Sequence, residues 1–159
     1  MLNIYDDFTI MGDHVEIGNS AIIGACVGIG DCVEIGDFAS IGDYVEIGDE
    51  AEIGLFAKIG DNAKIGNYAG IGKFAKIGVF AKIGDSAKIG NRAVIGESAR
   101  IGNFAEIGDG AEIGARVEIG VFAKIGDYTK INDHVEIGDY AEIGDGVEIG
   151  DKFRCEGLE

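Results

Sequence analysis

A six-residue period constrains this chain more tightly than any other feature. From Met11 to Arg154 it divides into 144/6 = 24 hexads with no insertion or deletion. Written from its first slot, the hexad reads I-G-D-x-[AV]-x. Slot one is Ile in 23 hexads and Met11 in the other, and slot two is Gly in 23, broken only by Asn132. Slot five holds fifteen Ala and seven Val, then Thr129 and Phe153. Side chains alternate across a strand, so in Ala57-Lys58-Ile59-Gly60 the Ala and Ile share one face while the Lys and Gly take the other. The apolar pair points inward. A helix needs apolar residues at spacings of three and four, and a spacing of two then four over 24 units holds no such stripe.

Slots three and four carry turn-forming pairs such as Asp61-Asn62, Asp109-Gly110 and Asn67-Tyr68. Each hexad therefore reads as one side and one corner. A single short strand cannot bury its Ile, but a closed coil stacked on another buries a continuous Ile column and satisfies the backbone between coils.

The motifs that carry the period, IGDNAKIG at Ile59 to Gly66 and IGDYVEIG at Ile41 to Gly48, resemble the hexapeptide repeat of the left-handed β-helix acyltransferase superfamily. The resemblance covers about nine-tenths of the chain. It implies an all-β fold, a left-handed triangular parallel β-helix (solenoid) with three hexads per coil, against the right-handed crossover rule. Residues 18 apart then stack. Twenty-four hexads make about eight coils, a rod roughly 38 Å long at a strand spacing of about 4.8 Å. Residues 1–10 read as an N-terminal cap, 11–154 as the hexapeptide-repeat β-helix and 155–159 as a C-terminal tail. Tyr5 and Thr9 continue the inward slots before Met11; Phe153 replaces a small residue and Cys155 an Ile, which reads as capping against edge pairing.

A net charge of −16 repels phosphate backbones and anionic headgroups, so neither nucleic acid nor a membrane surface is expected as a partner. The segment MLNIYDDF has acids where a secretory signal needs a positive start, and the apolar runs are short, so the expected location is the cytoplasm. Charge is banded: residues 1–57 carry twelve acids and no Lys or Arg, 58–100 eight bases and three acids, and 101–159 five bases and fourteen acids, giving −12, +5 and −9. Opposite bands allow two rods to associate; ladders such as Lys88, Glu106, Lys124 and Glu142 also satisfy one another locally. Ten of the thirteen aromatics occupy slot four, and two columns emerge at 18-residue spacing: Phe38, Phe56, Phe74 and Phe104, Phe122, Tyr140.

Candidate chemistry is sparse. His14 and His134 both sit in slot four, on different edges and 120/18, or between six and seven, coils apart. The resemblance implies a histidine base at a subunit boundary, and in its carbonic anhydrase branch three histidines around a metal. Two histidines do not make that metal site within one chain. Cys26 and Cys32 fall on neighbouring corners, too far apart for a disulfide, and the three cysteines lack CxxC spacing. Threonines are confined to Thr9 and Thr129, so no threonine ladder faces outward, and neither a P-loop nor GxSxG occurs.

Relatives of the resembled superfamily carry loop insertions that build the acyl-donor site, and a carboxy-terminal helix. Every hexad here abuts the next. The expectation is therefore a non-catalytic scaffold, an idealised or designed solenoid and not an enzyme, with no catalytic, cofactor-binding or metal residues, no cofactor and no small-molecule substrate. Self-association through rod ends or flat faces is the association it allows. The alternatives are a trimeric hexapeptide-repeat acyltransferase that uses a coenzyme A thioester, with His14 or His134 meeting a neighbour's Asp13, Asp133 or Asn132, and a natural protein-assembly module.

Overall fold

The computed structural model describes residues 3–4, 9–151 and 154–155. Each hexad contributes one two-residue strand made of slot six and the following slot one, as in Lys58–Ile59, Lys64–Ile65 and Gly70–Ile71. The strands form three parallel sheets, and each strand pairs with those one coil before and after it, three strands away in the chain. The register is Lys64↔Lys82 and Ile65↔Ile83, a shift of 18 residues. This is the triangular β-helix of about eight coils that the family resemblance implies.

Face I holds Ile22–Ile23 and its 18-residue successors through Glu148–Ile149, face II the series from Ile10–Met11, and face III the series from Glu16–Ile17 to Glu142–Ile143. The corners lie on three edges. The I/II edge carries 25–26 and every eighteenth pair after it, the II/III edge 13–14 and its successors, and the III/I edge 19–20 and its successors.

The inward slots make the core: Ala57, Ala63 and Ala69 are fully buried, and Ile23 to Ile137 are between 0% and 4% exposed. Thr129 takes an inward slot as well, fully buried, and its hydroxyl donates to the Gly144 carbonyl at 2.8 Å. Thr9 makes the same type of bond to Gly24, at 3.5 Å. Tyr5 and Phe153 lie outside the described residues, as does the side chain of Cys155.

Backbone polarity is satisfied between coils. Slot six donates to slot five of the next coil (Lys64 N to Ala81 O, 2.9 Å) and slot two to slot one (Gly66 N to Ile83 O, 2.9 Å). Slot four donates in the opposite direction, as from Tyr68 N to Asp49 O at 2.8 Å. Among the described residues the slot-three N–H donates to no carbonyl, and the slot-three carboxylate or amide of the next coil accepts it: Asp31 Oδ1 takes Asp13 N at 2.7 Å and Asn67 Oδ1 takes Asp49 N at 2.9 Å. That bond explains the Asp and Asn of slot three better than turn propensity does. Leu55, Val79 and Val121 cannot make it, so Asp37 N, Asp61 N and Asn103 N lack this acceptor.

The glycine of slot two answers to the same close approach. A Cβ on Gly60 would stand 2.8 Å from Val79 N and 2.9 Å from Gly78 C, which is backbone that cannot give way. Slot four is different: every residue there from His14 to Gly146 has φ between +54° and +66°, the left-handed region. For a residue with a Cβ that costs about 1 to 2 kcal/mol. The turn nevertheless tolerates Phe, Tyr, Cys and Arg, because the slot-four N–H bond and the coils on either side hold it.

Candidate functional site

A left-handed corner turns its side chain outward, and each corner repeats above the last, so chemistry on this fold is arranged in columns. The Phe38, Phe56 and Phe74 rings stack at centroid distances of 4.8 and 5.2 Å on the III/I edge, with the Arg92 guanidinium carbon 6.0 Å from the Phe74 centroid. Phe104, Phe122 and Tyr140 stack at 4.8 and 5.3 Å on the II/III edge. Both columns match the sequence expectation, each pair worth about 0.5 to 1.5 kcal/mol beyond burial.

The histidines fall where the 18-residue spacing puts them, on separate edges. His14 stands on the II/III edge in the column of Cys32, Glu50 and Tyr68. Its ring makes no hydrogen bond to a described residue. Next to it in that column, Glu50 raises the Tyr68 phenol above its usual value, first through its negative charge and then by accepting the phenol hydrogen bond. Cys32 is exposed and Cys26, on the I/II edge, is half-buried; both are free thiols.

His134 stands on the I/II edge and is not alone. Arg116, one coil earlier in the same column, places Nη1 3.3 Å from His134 Nε2. A guanidinium only donates, so Nε2 must be the lone-pair nitrogen and the proton of the neutral ring sits on Nδ1. The backbone fixes the pair: His134 N donates to Ala115 O at 3.0 Å, and Asp133 Oδ1 accepts Ala115 N at 2.7 Å. The carboxylate beside the histidine is thus occupied by the backbone. The sequence reading missed Arg116, although the spacing that found the phenylalanine columns, applied to His134, leads to it.

Two concavities lie elsewhere, along face III. One groove of about 560 Å³ runs past Glu16, Glu34, Glu52 and Leu55, and another of about 840 Å³ past Lys88, Glu106, Lys124 and Glu142. No group of three or more His, Cys, Asp or Glu able to hold a metal occurs among the described residues. No helix among them is long and apolar enough to cross a membrane.

Three uniform parallel faces and strict 18-residue stacking define a hexapeptide-repeat β-helix. A profile described as bacterial transferase hexapeptide (six repeats) matches residues 69–103, 92–127 and 122–151. The chain belongs to that family. A comparison with curated proteins gives no match. Among solved structures the chain is similar to LpxA from Acinetobacter baumannii, at 23% identity with a TM-score of 0.73, covering 89% of this chain and 64% of the other. It is also similar to UDP-N-acetylglucosamine acyltransferase from Francisella novicida, at 23% identity and TM-score 0.48, over 97% and 58% of the two chains. LpxA from Moraxella catarrhalis is 22% identical with TM-score 0.45, over 87% and 66%. This chain spans between 58% and 66% of the length of these three. The likeness is one of fold.

These comparisons overturn the expectation of a non-catalytic scaffold that is not an enzyme and has no small-molecule substrate. The family whose profile the chain matches is one of bacterial transferases. The physical flaw lay in treating missing loops as missing chemistry. A left-handed corner projects a side chain from the rod itself, and stacking pairs it with another, as Arg116 and His134 show.

Proposed function

We propose that this chain is a hexapeptide-repeat acyltransferase that moves an acyl group from a thioester to a hydroxyl or amine, with His134 as general base and Arg116 as its electrostatic partner. The observation that carries the assignment to His134 is the 3.3 Å contact between Arg116 Nη1 and His134 Nε2. It keeps the lone pair on the nitrogen that a substrate would meet. His134 also lies inside the matched segment, as Arg116 does, whereas His14 lies outside it.

In this reading the acceptor's O–H or N–H displaces the guanidinium and donates to Nε2. The ring takes that proton as the acceptor attacks the thioester carbonyl, the C–S bond breaks, and the imidazolium returns a proton to the departing thiolate. Freed from Nε2, Arg116 donates to the carbonyl oxygen where negative charge develops. A convex edge does not enclose a substrate by itself, so a second surface, that of another copy, completes the site. Coenzyme A is the thioester carrier that the family resemblance implies, and a UDP-sugar is the acceptor class that the neighbours' names suggest.

Thioester turnover with a panel of amino and hydroxyl acceptors tests this in the parent, His134→Ala, Arg116→Ala and His14→Ala proteins. Turnover lost in His134→Ala, about 10²- to 10⁴-fold for a removed general base, and kept in His14→Ala supports the assignment. Loss only in His14→Ala moves the base to the II/III edge, and baseline rates in every protein refute acyl transfer.

A further inference from the structure

Like charges stacked in register destabilise a sheet, and opposite charges relieve it. The C-terminal half of face III follows that rule, with Lys88, Glu106, Lys124 and Glu142 alternating in sign. The N-terminal half breaks it: Glu16, Glu34 and Glu52 stack with nothing between them. On the neighbouring faces the same violation appears with the opposite sign. Lys58 pairs with Lys76 on face I, and Lys64, Lys82 and Arg100 stack on face II. Lys64 and Arg100 are relieved by Glu46 at 2.7 Å and Glu118 at 2.9 Å. Lys58, Lys76 and Lys82 have no carboxylate within ion-pair distance among the described residues.

The five bases straddle the I/II edge, and at its centre stand Val79 and Phe80, 38% and 53% exposed. Val79 occupies a slot-three position and gives up the acceptor that Asp or Asn there offers the coil before it. The acidic stripe borders the 560 Å³ groove, which also contains Leu55, another residue that gives up that acceptor. One surface is a convex cationic ridge with an apolar crest, and the other is a groove that is acidic along Glu16, Glu34 and Glu52 and has an apolar residue in it.

We propose that these two surfaces are the halves of one self-association contact, in which the Val79-Phe80 edge of one copy docks into the Glu16-Glu34-Glu52 groove of a second. Charge and the position of the apolar residues match along the Glu16-Glu34-Glu52 stretch, where residues 1–57 offer no Lys or Arg to oppose the incoming bases; the two lysines that line the groove, Lys73 and Lys88, lie one and two coils beyond Glu52. Because the two halves are different surfaces, the contact is head-to-tail and leaves a free ridge and a free groove on every pair. It does not depend on the acyltransferase reading: Phe80 and His134 share an edge but stand 54/18 = 3 coils apart.

Weight-average mass in solution tests the contact, read against the 16.6 kDa of one chain. Two charge-reversed proteins are compared with the parent: a ridge variant, Lys58→Glu with Lys76→Glu and Lys82→Glu, and a groove variant, Glu16→Lys with Glu34→Lys and Glu52→Lys. All six positions face outward, and circular dichroism checks that each variant keeps its fold. The parent should gain mass with concentration at about 20 mM salt and lose that gain at about 0.5 M, where screening acts within a few ångströms. Each variant alone should lack the salt-sensitive gain. Mixed one to one, the two variants offer two complementary contacts: the intact ridge of one meets the intact acidic groove of the other, and the reversed, acidic ridge meets the reversed, basic groove. The mixture should recover a salt-sensitive gain in mass with concentration, as the parent shows. A parent whose mass ignores salt, a variant that associates as the parent does, or a mixture that behaves as the sum of its parts would each overturn the proposal.

Discussion

Ile83→Asp puts the slot assignment at greatest risk. Ile83 is 3% exposed and lies in register between Ile65 and Ile101, so its side chain is walled by the same residue above and below. Removing a buried Ile side chain costs about 2 to 5 kcal/mol. An unpaired carboxylate in that column adds several more, since neither water nor a cation reaches it. The sum is comparable to the whole stability of an ordinary domain, about 5 to 15 kcal/mol. Because coils contact only their neighbours, the damage should divide the rod at that coil rather than spread evenly. The control is Lys88→Glu, five residues on. Lys88 is exposed and lies between Gly70 and Glu106, so the change replaces an attraction with a repulsion worth about 0.2 to 1 kcal/mol. Urea unfolding followed by circular dichroism should show Ile83→Asp largely unfolded or unfolding in two steps, and Lys88→Glu close to the parent. Equal midpoints for the two would refute the inward placement of slot one.

Two further outcomes follow from the corners. Cys32 is exposed and Cys26 half-buried, both without a disulfide, so a thiol reagent should modify Cys32 first in the native protein and Cys26 more slowly; mass analysis of peptides after timed labelling checks the order, and equal protection of both would contradict the corner register. Tyr68 has its phenol raised by Glu50, so the native state holds that proton more tightly than the unfolded chain does. Its contribution is complete below the unfolded value near 10 and is lost as pH rises through the folded value. Stability in alkaline titration should therefore fall less steeply for Tyr68→Phe than for the parent, and identical slopes would show that Glu50 does not act on the phenol.

The fold was almost wholly legible because one constraint, the period, repeats 24 times without error. Inward Ala and Ile follow from strand alternation within that period, and the aromatic columns and the separation of His14 from His134 follow from the 18-residue stacking that the family resemblance implies. Two features were not legible. The left-handed φ of slot four is hidden because Phe56 and Arg116, which ordinarily avoid that region, are held there by hydrogen bonds between coils that the local sequence does not show. The slot-three acceptor is hidden because a turn and a bond between coils ask for the same residue, Asp. The site suffered differently. Arg116 is an ordinary corner residue until its position 18 residues before His134 is counted.

That geometry limits what a rod of this kind can do. A loop can bring together any residues its length allows, whereas a straight column joins only residues 18 apart and its edges never converge. One chain can thus assemble pairs such as Arg116 with His134, or stacks such as Phe38 with Phe56, but no compact cluster drawn from three edges. Richer chemistry has to come from a second surface laid against the first. Both proposals made for this protein have that form: an acyl-transfer edge that needs a cover, and a cationic edge whose complement is carried on another face of the same molecule. The segregated charges fit this reading. The alternation of Lys88 through Glu142 shows that the repeat accommodates paired signs in register. Stacking Lys58 on Lys76, and Glu34 on Glu52, gives up fold stability that alternation would keep. Contact between two copies returns it by bringing the unlike stripes together.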